Sequence, residues 1–343
     1  MARGSETLPD GTARRGWTRH AGRFAGLTGL ADHAATWPPA STPAAPGAWD
    51  RVLAVASASM LCVAAAPLLM SLPDEAAEPT RRTPPATESA LAPQTLVAAY
   101  GGIAHTHSSD VHFAKPGVTD LTARQVDWIG RPFKSPIYYG LRAMHWPAAS
   151  RFGGMVDFTH AKAISVREQS VRFEGTRNGQ PANATATIGD TFRHLEFSHG
   201  HNMLTLNGLV RLGALSPRIV PYVGGGFGVS LPHTEVQFRD ETRRTYEYQL
   251  TGGVGQVVAG VEIRLPRMSV LVEYKFSFAP YWVPLTLKDG SKGNAFVDYW
   301  GQIGRWWRGE APEAGILSTT LATHHVVVGA GYRHGGVPVM PAR

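Results

Sequence analysis

The chain has 343 residues, of which 43% are hydrophobic and 17% charged, with 38 glycines, one cysteine and a formal net charge of +7. Charge runs below the about 25% and glycine above the about 7% of ordinary soluble proteins. One cysteine excludes a disulfide framework and a cysteine-built metal site, and the hydrophobic content excludes a wholly disordered chain. The positive balance favours anionic partners: nucleic acid, lipid headgroups or acidic glycans.

Residues 1–50 are rich in Ala, Gly, Pro and Thr, with arginines scattered at Arg3, Arg14, Arg15, Arg19 and Arg23. They have no periodic apolar face and read as a disordered N-terminal extension. Arg51 is followed by Val52–Leu72, an apolar run without charge. It is just long enough to span a bilayer as a helix, which takes about 20 residues, and it also has the layout of a signal sequence. Residues 51–78 are therefore a signal-like or signal-anchor segment. Cys62 is not a lipoprotein cysteine, because Leu61 is too large for the position before it. Residues 79–94 form a Pro/Thr-rich linker.

From residue 95 apolar residues alternate with small or polar ones at period 2, the strand signature. Eight such segments follow, at about 95–106, 137–147, 152–163, 201–212, 218–231, 252–265, 268–280 and 323–334, and 335–343 is a tail. Each is close to the about 9–11 residues a tilted transmembrane strand needs. The connections alternate long and short. The short ones are Pro147–Arg151, Gly213–Pro217 and Pro266–Arg267; the long ones cover about 107–136, 164–200, 232–251 and 281–322. That sorting is the mark of an outer-membrane barrel with periplasmic turns and extracellular loops. The fold expected is thus all-β: an eight-stranded antiparallel transmembrane β-barrel over 95–334, in the outer membrane of a Gram-negative bacterium, with both termini periplasmic.

Parity separates two faces. Val270, Val272, Tyr274 and Phe276 alternate with Glu273 and Lys275, and Val257, Val261 and Ile263 with Gln256, Glu262 and Arg264. The inward set comprises Arg142, Asp157, Arg211, Glu262, Arg264, Glu273, Lys275 and Arg333. An eight-stranded barrel is filled by side chains rather than water, so these charges read as a salt-bridged plug before a catalytic cluster. Gly224, Gly226 and Gly228 would relieve crowding inside. Tyr138, Tyr139, Trp146, Phe152, Phe278, Tyr281 and Trp282 gather near strand ends, as in interfacial girdles.

Histidines concentrate at the loop-side ends of strands. In a strand, i and i+2 share a face, so His105/His107, His199/His201 and His233/Glu235 could each present two ligands. Imidazole with carboxylate suits a divalent transition metal; a merely polar rim is the competing reading. The loop side is also basic, including Arg193, Arg239, Arg243 and Arg244, and Arg binds phosphate and carboxylate bidentately. Once a barrel is accepted, nucleic acid is excluded as a partner. Arg305-Trp306-Trp307-Arg308 in the last loop fits a membrane interface or an ordinary surface loop equally well.

The order of several motifs resembles the lipid A oxidase family of rhizobial-type bacteria. These motifs are Ile137-Tyr138-Tyr139-Gly140-Leu141-Arg142-Ala143, Val156-Asp157-Phe158-Thr159-His160-Ala161-Lys162 and Leu195-Glu196-Phe197-Ser198. Asn202-Met203-Leu204-Thr205-Leu206-Asn207, Pro221-Tyr222-Val223-Gly224-Gly225-Gly226, Pro232-His233-Thr234-Glu235, Tyr248-Gln249-Leu250-Thr251-Gly252 and Glu273-Tyr274-Lys275 continue the series. His199 and the long loop at about 288–322 depart from the family pattern. The resemblance implies an outer-membrane enzyme that oxidises the proximal glucosamine of lipid A to 2-aminogluconate, with O2 as acceptor and peroxide as product. It carries no settled catalytic set.

Oxygen chemistry generally takes a metal or a flavin, and no flavin, NAD or ATP fold is legible, so a rim metal is expected. Strand-end location and motif match together select His160, His233 and Glu235 as metal ligands. Glu196, His160 and Lys162 are the catalytic candidates, and Asn207, Arg193 and Arg244 are the substrate-binding ones. The partner expected is lipid A or lipopolysaccharide, met by a monomer. The alternative is a non-catalytic outer-membrane barrel with an envelope-structural or loop-binding role; a deacylase is disfavoured because no Ser/His pairing is evident.

Overall fold

The computed structural model describes residues 93–148, 150–291 and 294–335. The expected extension, the signal-like segment, nearly all of the linker and the tail after Gly335 lie outside the described residues. Eight long strands form the staves of a barrel: β1 (Gln94–Thr106), β2 (Tyr139–Trp146), β3 (Phe152–Ser165), β4 (Phe192–Arg211), β5 (Ile219–Ser230), β6 (Gly252–Arg264), β7 (Met268–Pro284) and β8 (Ile316–Gly335). Each pairs antiparallel with its chain neighbour, and β1 pairs with β8 from Gln94↔Gly335 to Thr106↔Thr323. The sheet is therefore closed, with no free edge among the staves, as spanning hydrocarbon requires.

Period-2 alternation sets the two surfaces. Val97, Leu141, Val156, Leu206, Phe227, Val257 and Val328 lie exposed on the outer wall. Leu96, Met144, Leu209, Tyr222 and Leu271 pack inside. An outer wall of apolar side chains around a polar lumen defines a transmembrane β-barrel of the outer-membrane type. Tyr139, Phe152, Phe278 and Trp282 belong to that wall. Tyr138, Trp146 and Tyr281 do not: each sits on an inward position and is buried, so these three are not girdle residues.

The lumen is filled by the expected charges. Arg142, Asp157, Glu273 and Lys275 have fully buried side chains and balance to zero formal charge. Lys275 Nζ donates to Asp157 Oδ2 at 3.1 Å, Tyr100 Oη at 2.8 Å and Thr159 Oγ1 at 2.7 Å. Arg142 Nε donates to Asp157 at 3.2 Å, and Arg142 and Tyr222 both donate to Glu273. A second knot nearer the short turns ties Gln94 and Ser269 to Glu262 at 2.8 Å each, with Arg211 and Arg264 donating to Gln94. Tyr100 reaches the central cluster because Gly140 leaves room: a Cβ there would lie 1.9 Å from its ring.

The long connections, expected as loops, carry secondary structure of their own. Residues 109–115, 119–126 and 170–177 extend the sheet beyond the barrel mouth, and 233–238 and 245–248 form a hairpin against β4. β4, β7 and β8 run up into this extension, nine, four and seven residues past their expected loop-side ends. Val111, Phe113, Leu121, Phe173, Phe192, Val236 and Phe238 build an apolar core above the lumen. The last long connection carries one helix, α1 (Ala295–Trp307).

Removing one member of the central cluster should be costly, because the remaining charges stay buried without compensation. Asp157→Ala strips Arg142 and Lys275 of a shared carboxylate and is expected to lower stability by about 3–5 kcal/mol. Urea unfolding of the barrel in lipid vesicles, followed by gel mobility, measures it.

Candidate functional site

β4 carries the site, and two breaks in its pairing aim the residues. Opposite the 233–238 strand, Phe192 pairs with Phe238 and His194 with Gln237, so Arg193 is the unpaired residue of a bulge. Opposite β3, Phe197 pairs with Ala163 and His201 with Ala161, leaving Ser198, His199 and Gly200 facing a single residue. Gly200 has φ +140, and a Cβ there would sit 2.3 Å from the Asn202 amide, so only glycine fits without displacement.

Between the two breaks, Leu195 and Phe197 point into the apolar core, as Val236 does on the partner strand. His194 and Glu196 therefore face the opposite, outer side. Glu196 is the direct cross-strand partner of Glu235, so two carboxylates meet on one face. His194 Nδ1 lies 3.0 Å from Glu196 Oε1 and 3.3 Å from Glu235 Oε1. Among the described residues, these three form one group whose ligand atoms all fall within 4.8 Å of one another. Arg244, just before the 245–248 strand, donates to Glu235 Oε1 at 2.6 Å and to Asp289 Oδ1 at 2.9 Å, and its guanidinium lies 4.0 Å from the centre of the Tyr246 ring. Hydrogen bonding to Asp289 pushes its pKa above the ordinary value, so it stays charged.

The expected ligand set is thus only partly assembled. Glu235 is in the cluster, together with the catalytic candidate Glu196. His233 is not a member: its ring packs edge-on against Tyr246 and Tyr248, 4.3 and 4.6 Å between centres, with His199 at 5.0 Å. Its Nδ1 is buried without a hydrogen-bond partner. Burial, then the neighbouring His199, push its pKa down to about 4, so it is a neutral aromatic at physiological pH. His160 sits one strand over, stacked on Tyr139 at 4.8 Å, with Nδ1 2.7 Å from Asn202 Oδ1. Asn Oδ1 can only accept, so Nδ1 carries the proton. In the neutral ring the lone pair is then on Nε2, which is buried and without a partner. Lys162, next on the same face of β3, donates to Lys134 O at 2.6 Å, and its charge interacts with Glu196.

Asn207 is not near these groups. It lies in the lumen, donating to Thr205 at 2.9 Å and accepting from Gln256 at 3.3 Å. Its side chain serves the buried network, because position 207 has inward parity. Arg193 is exposed at its bulge and joins no partner in the cluster. Of the histidine pairs, the second break in β4 separates His199 from His201, whose ring is buried against Tyr281. His105 and His107 do approach, 5.4 Å between rings, and His107 packs edge-on against His324 at 4.8 Å. His194 was missed as a ligand. The signal was available: His194 and Glu196 stand two apart, the same spacing that singled out His233 and Glu235.

The height of the site follows from register. Glu196 opposes Ile164, which is 164 − 152 = 12 residues along β3 from Phe152 at the short-turn end. At about 3.3 Å per residue and a tilt near 40°, that is about 30 Å, just above an apolar band of ~25 Å. The carboxylates therefore stand on the outer wall at headgroup level.

No protein-family model matches the chain, and no curated protein matches it. Among solved structures, Neisserial surface protein A aligns over 70% of this chain and 96% of its own, with 8% identity and a TM-score of 0.29. The outer membrane protease OmpT from Escherichia coli aligns over 71% and 96%, with 7% identity and a TM-score of 0.32. At such identities and scores neither likeness bears on the activity of this chain.

Asn207→Ala separates the lumen from the rim. It should lower stability by about 1–2 kcal/mol through lost buried hydrogen bonds, while leaving ligand binding at the rim unchanged. Parallel unfolding and divalent-cation-binding measurements on the variant check both halves.

Proposed function

We propose that this protein is an outer-membrane oxidase of lipid A, with the long-loop end extracellular and both barrel termini periplasmic. The observation that carries the reading is the His194–Glu196–Glu235 cluster on the outer wall at headgroup level. A site in the lumen would suit a soluble ligand. A site on the outside, just above the lipid-facing band, is reached sideways by a molecule that stays in the leaflet. The basic residues Lys162, Arg193 and Arg244 around it suit an anionic glycolipid. The family resemblance of the surrounding motifs supplies the substrate: the proximal glucosamine.

The reaction converts a free hemiacetal at C1 into a carboxylate. The C1–H and O–H bonds break, and two electrons and two protons leave the sugar. Dioxygen takes both and becomes hydrogen peroxide. The lactone formed opens with water to 2-aminogluconate.

Two carboxylates facing each other repel, and a divalent cation would relieve that repulsion further than His194, Arg244 and Lys162 do. Oxygen and nitrogen donors of this kind suit redox-active Mn or Fe ions. A transition metal held by His194, Glu196 and Glu235 would supply the electron-transfer chemistry that dioxygen needs. Arg244 anchors Glu235 and shapes the face on which the sugar rests. His160 lies four residues lower along β3 than Ile164, which faces Glu196, about 13 Å at ~3.3 Å per residue, and takes no part in the proton transfer at C1. Lys162 faces the phosphate-bearing side.

Mass spectrometry of lipid A from a deletion strain tests this reading. A species heavier by one oxygen atom should disappear on deletion and return with the intact gene. Glu235→Gln and His194→Ala should fail to restore it. They should also lower metal affinity of the purified barrel by at least the roughly 10–100-fold that losing an outer-shell partner costs. Unchanged lipid A on deletion would make the protein a non-catalytic envelope barrel, and altered acyl chains would make it a hydrolase.

A further inference from the structure

The helix α1 is amphipathic the wrong way round for a water-exposed loop. Asp298, Gln302 and Arg305 recur at i, i+4 and i+7 and form its docking face. Gln302 accepts from Leu250 N at 2.7 Å and donates to Leu250 O at 3.0 Å. Asp298 accepts from Tyr248 N at 3.0 Å and Ser291 N at 2.9 Å, and Arg305 donates to Glu247 at 3.2 Å. Asn294 caps the first turn by accepting from Val297 N at 3.4 Å. The polar face is thereby held against the protein, and the helix cannot roll to bury anything else.

The opposite stripe is Phe296, Trp300, Ile303 and Trp307, at i, i+4, i+7 and i+11. Phe296 is 77%, Trp300 70% and Trp307 92% exposed. Large aromatics left open in a row signal an interaction surface rather than a solvated face.

What covers that stripe follows from where the helix is fixed. Tyr299 Oη donates to Leu231 O at 3.3 Å, and Leu231 N donates to Asn202 O at 2.8 Å. Asn202 pairs with His160, which is 160 − 152 = 8 residues along β3 from Phe152. By the same rise and tilt this is about 20 Å up the wall, inside the upper edge of the ~25 Å band. Leu231 also continues the outward positions Phe227 and Val229 of β5, both exposed. The aromatic stripe is thus continuous with the lipid-facing wall. Tryptophan is the side chain favoured at that depth, its ring apolar and its N–H wet. Arg308 at the C-terminal end is exposed and suits the phosphates of the same leaflet.

We infer that α1 is an interfacial helix, lying in the leaflet at the long-loop end with Phe296, Trp300, Ile303 and Trp307 among the lipid chains. It would then form a ledge beside the site, since Tyr299 packs 6.3 Å from Tyr248, whose ring borders His233. The inference rests on the membrane-spanning barrel and not on oxidation, so it survives if lipid A proves unmodified.

Spin labels report the environment of each position directly. In a Cys62→Ser background, Trp300→Cys and Trp307→Cys are labelled, with Phe227→Cys as the lipid reference and Glu310→Cys as the water reference. The full chain is reconstituted in phosphatidylethanolamine vesicles containing lipopolysaccharide. Collision with dissolved oxygen should exceed collision with a nickel chelate at 300 and 307, as at 227 and opposite to 310. Nickel accessibility like that at 310 would place the stripe in water and overturn the inference. Shielding from both reagents would mean that protein, a second copy or a partner, covers the stripe, and would overturn it equally. The two reference labels establish that the barrel is folded and inserted.

Discussion

The structure depends on closure of the backbone ladder. In hydrocarbon an unpaired N–H or C=O has no water to turn to, so a sheet that crosses a bilayer must pair its first strand with its last. Thirteen consecutive register pairs between β1 and β8 meet that demand. Closure then dictates parity: every second residue is inside, every other one meets lipid. From parity follow the paired charges of the lumen, the apolar wall and the placement of each candidate residue.

The site exists because β4 departs from that regularity where it leaves the membrane. With strict pairing, residues of one parity would stay on one side along the whole strand. The bulge at Arg193 turns Phe192 and Leu195, of opposite parity, into the same core. The break at Ser198–Gly200 frees His199 to reach His233, while Phe197 and His201, of the same parity, both stay inward. Between the breaks, His194 and Glu196 are held outward opposite Glu235. The chemistry-bearing groups are thus placed by two local irregularities on an otherwise regular wall, a common use of bulges near functional sites.

Much of the barrel was legible before any coordinates. Period 2 over 9–11 residues located all eight staves, because half-buried strands in a bilayer must alternate. The charges at Arg142, Asp157, Glu273 and Lys275 were assigned inward on the same ground. What strand-end position could not convey was whether an aromatic faced out. Trp146 and Tyr281 lie at strand ends yet carry inward parity, and the end position misled. The sheet extension was illegible for a different reason: strands such as 170–177 are short and draw their stability from distant partners on the 119–126 and 184–187 segments. Asn207 was assigned by motif rather than by parity, and parity would have placed it in the lumen. His194 lay outside the matched motifs, although its spacing to Glu196 marked it.

The central claim is that the polar cluster opens sideways onto the leaflet rather than into the lumen. Tyr139, exposed on the wall and stacked on His160, is the closest reporter of that opening. Photocrosslinking in intact outer membranes measures it, with p-benzoylphenylalanine replacing Tyr139, and in separate strains Phe227 and the buried Thr323. The account predicts a lipopolysaccharide adduct at 139, a lipid adduct at 227 and neither at 323. A chain that gives the lipid adduct at 227 but no lipopolysaccharide adduct at 139 would contradict it.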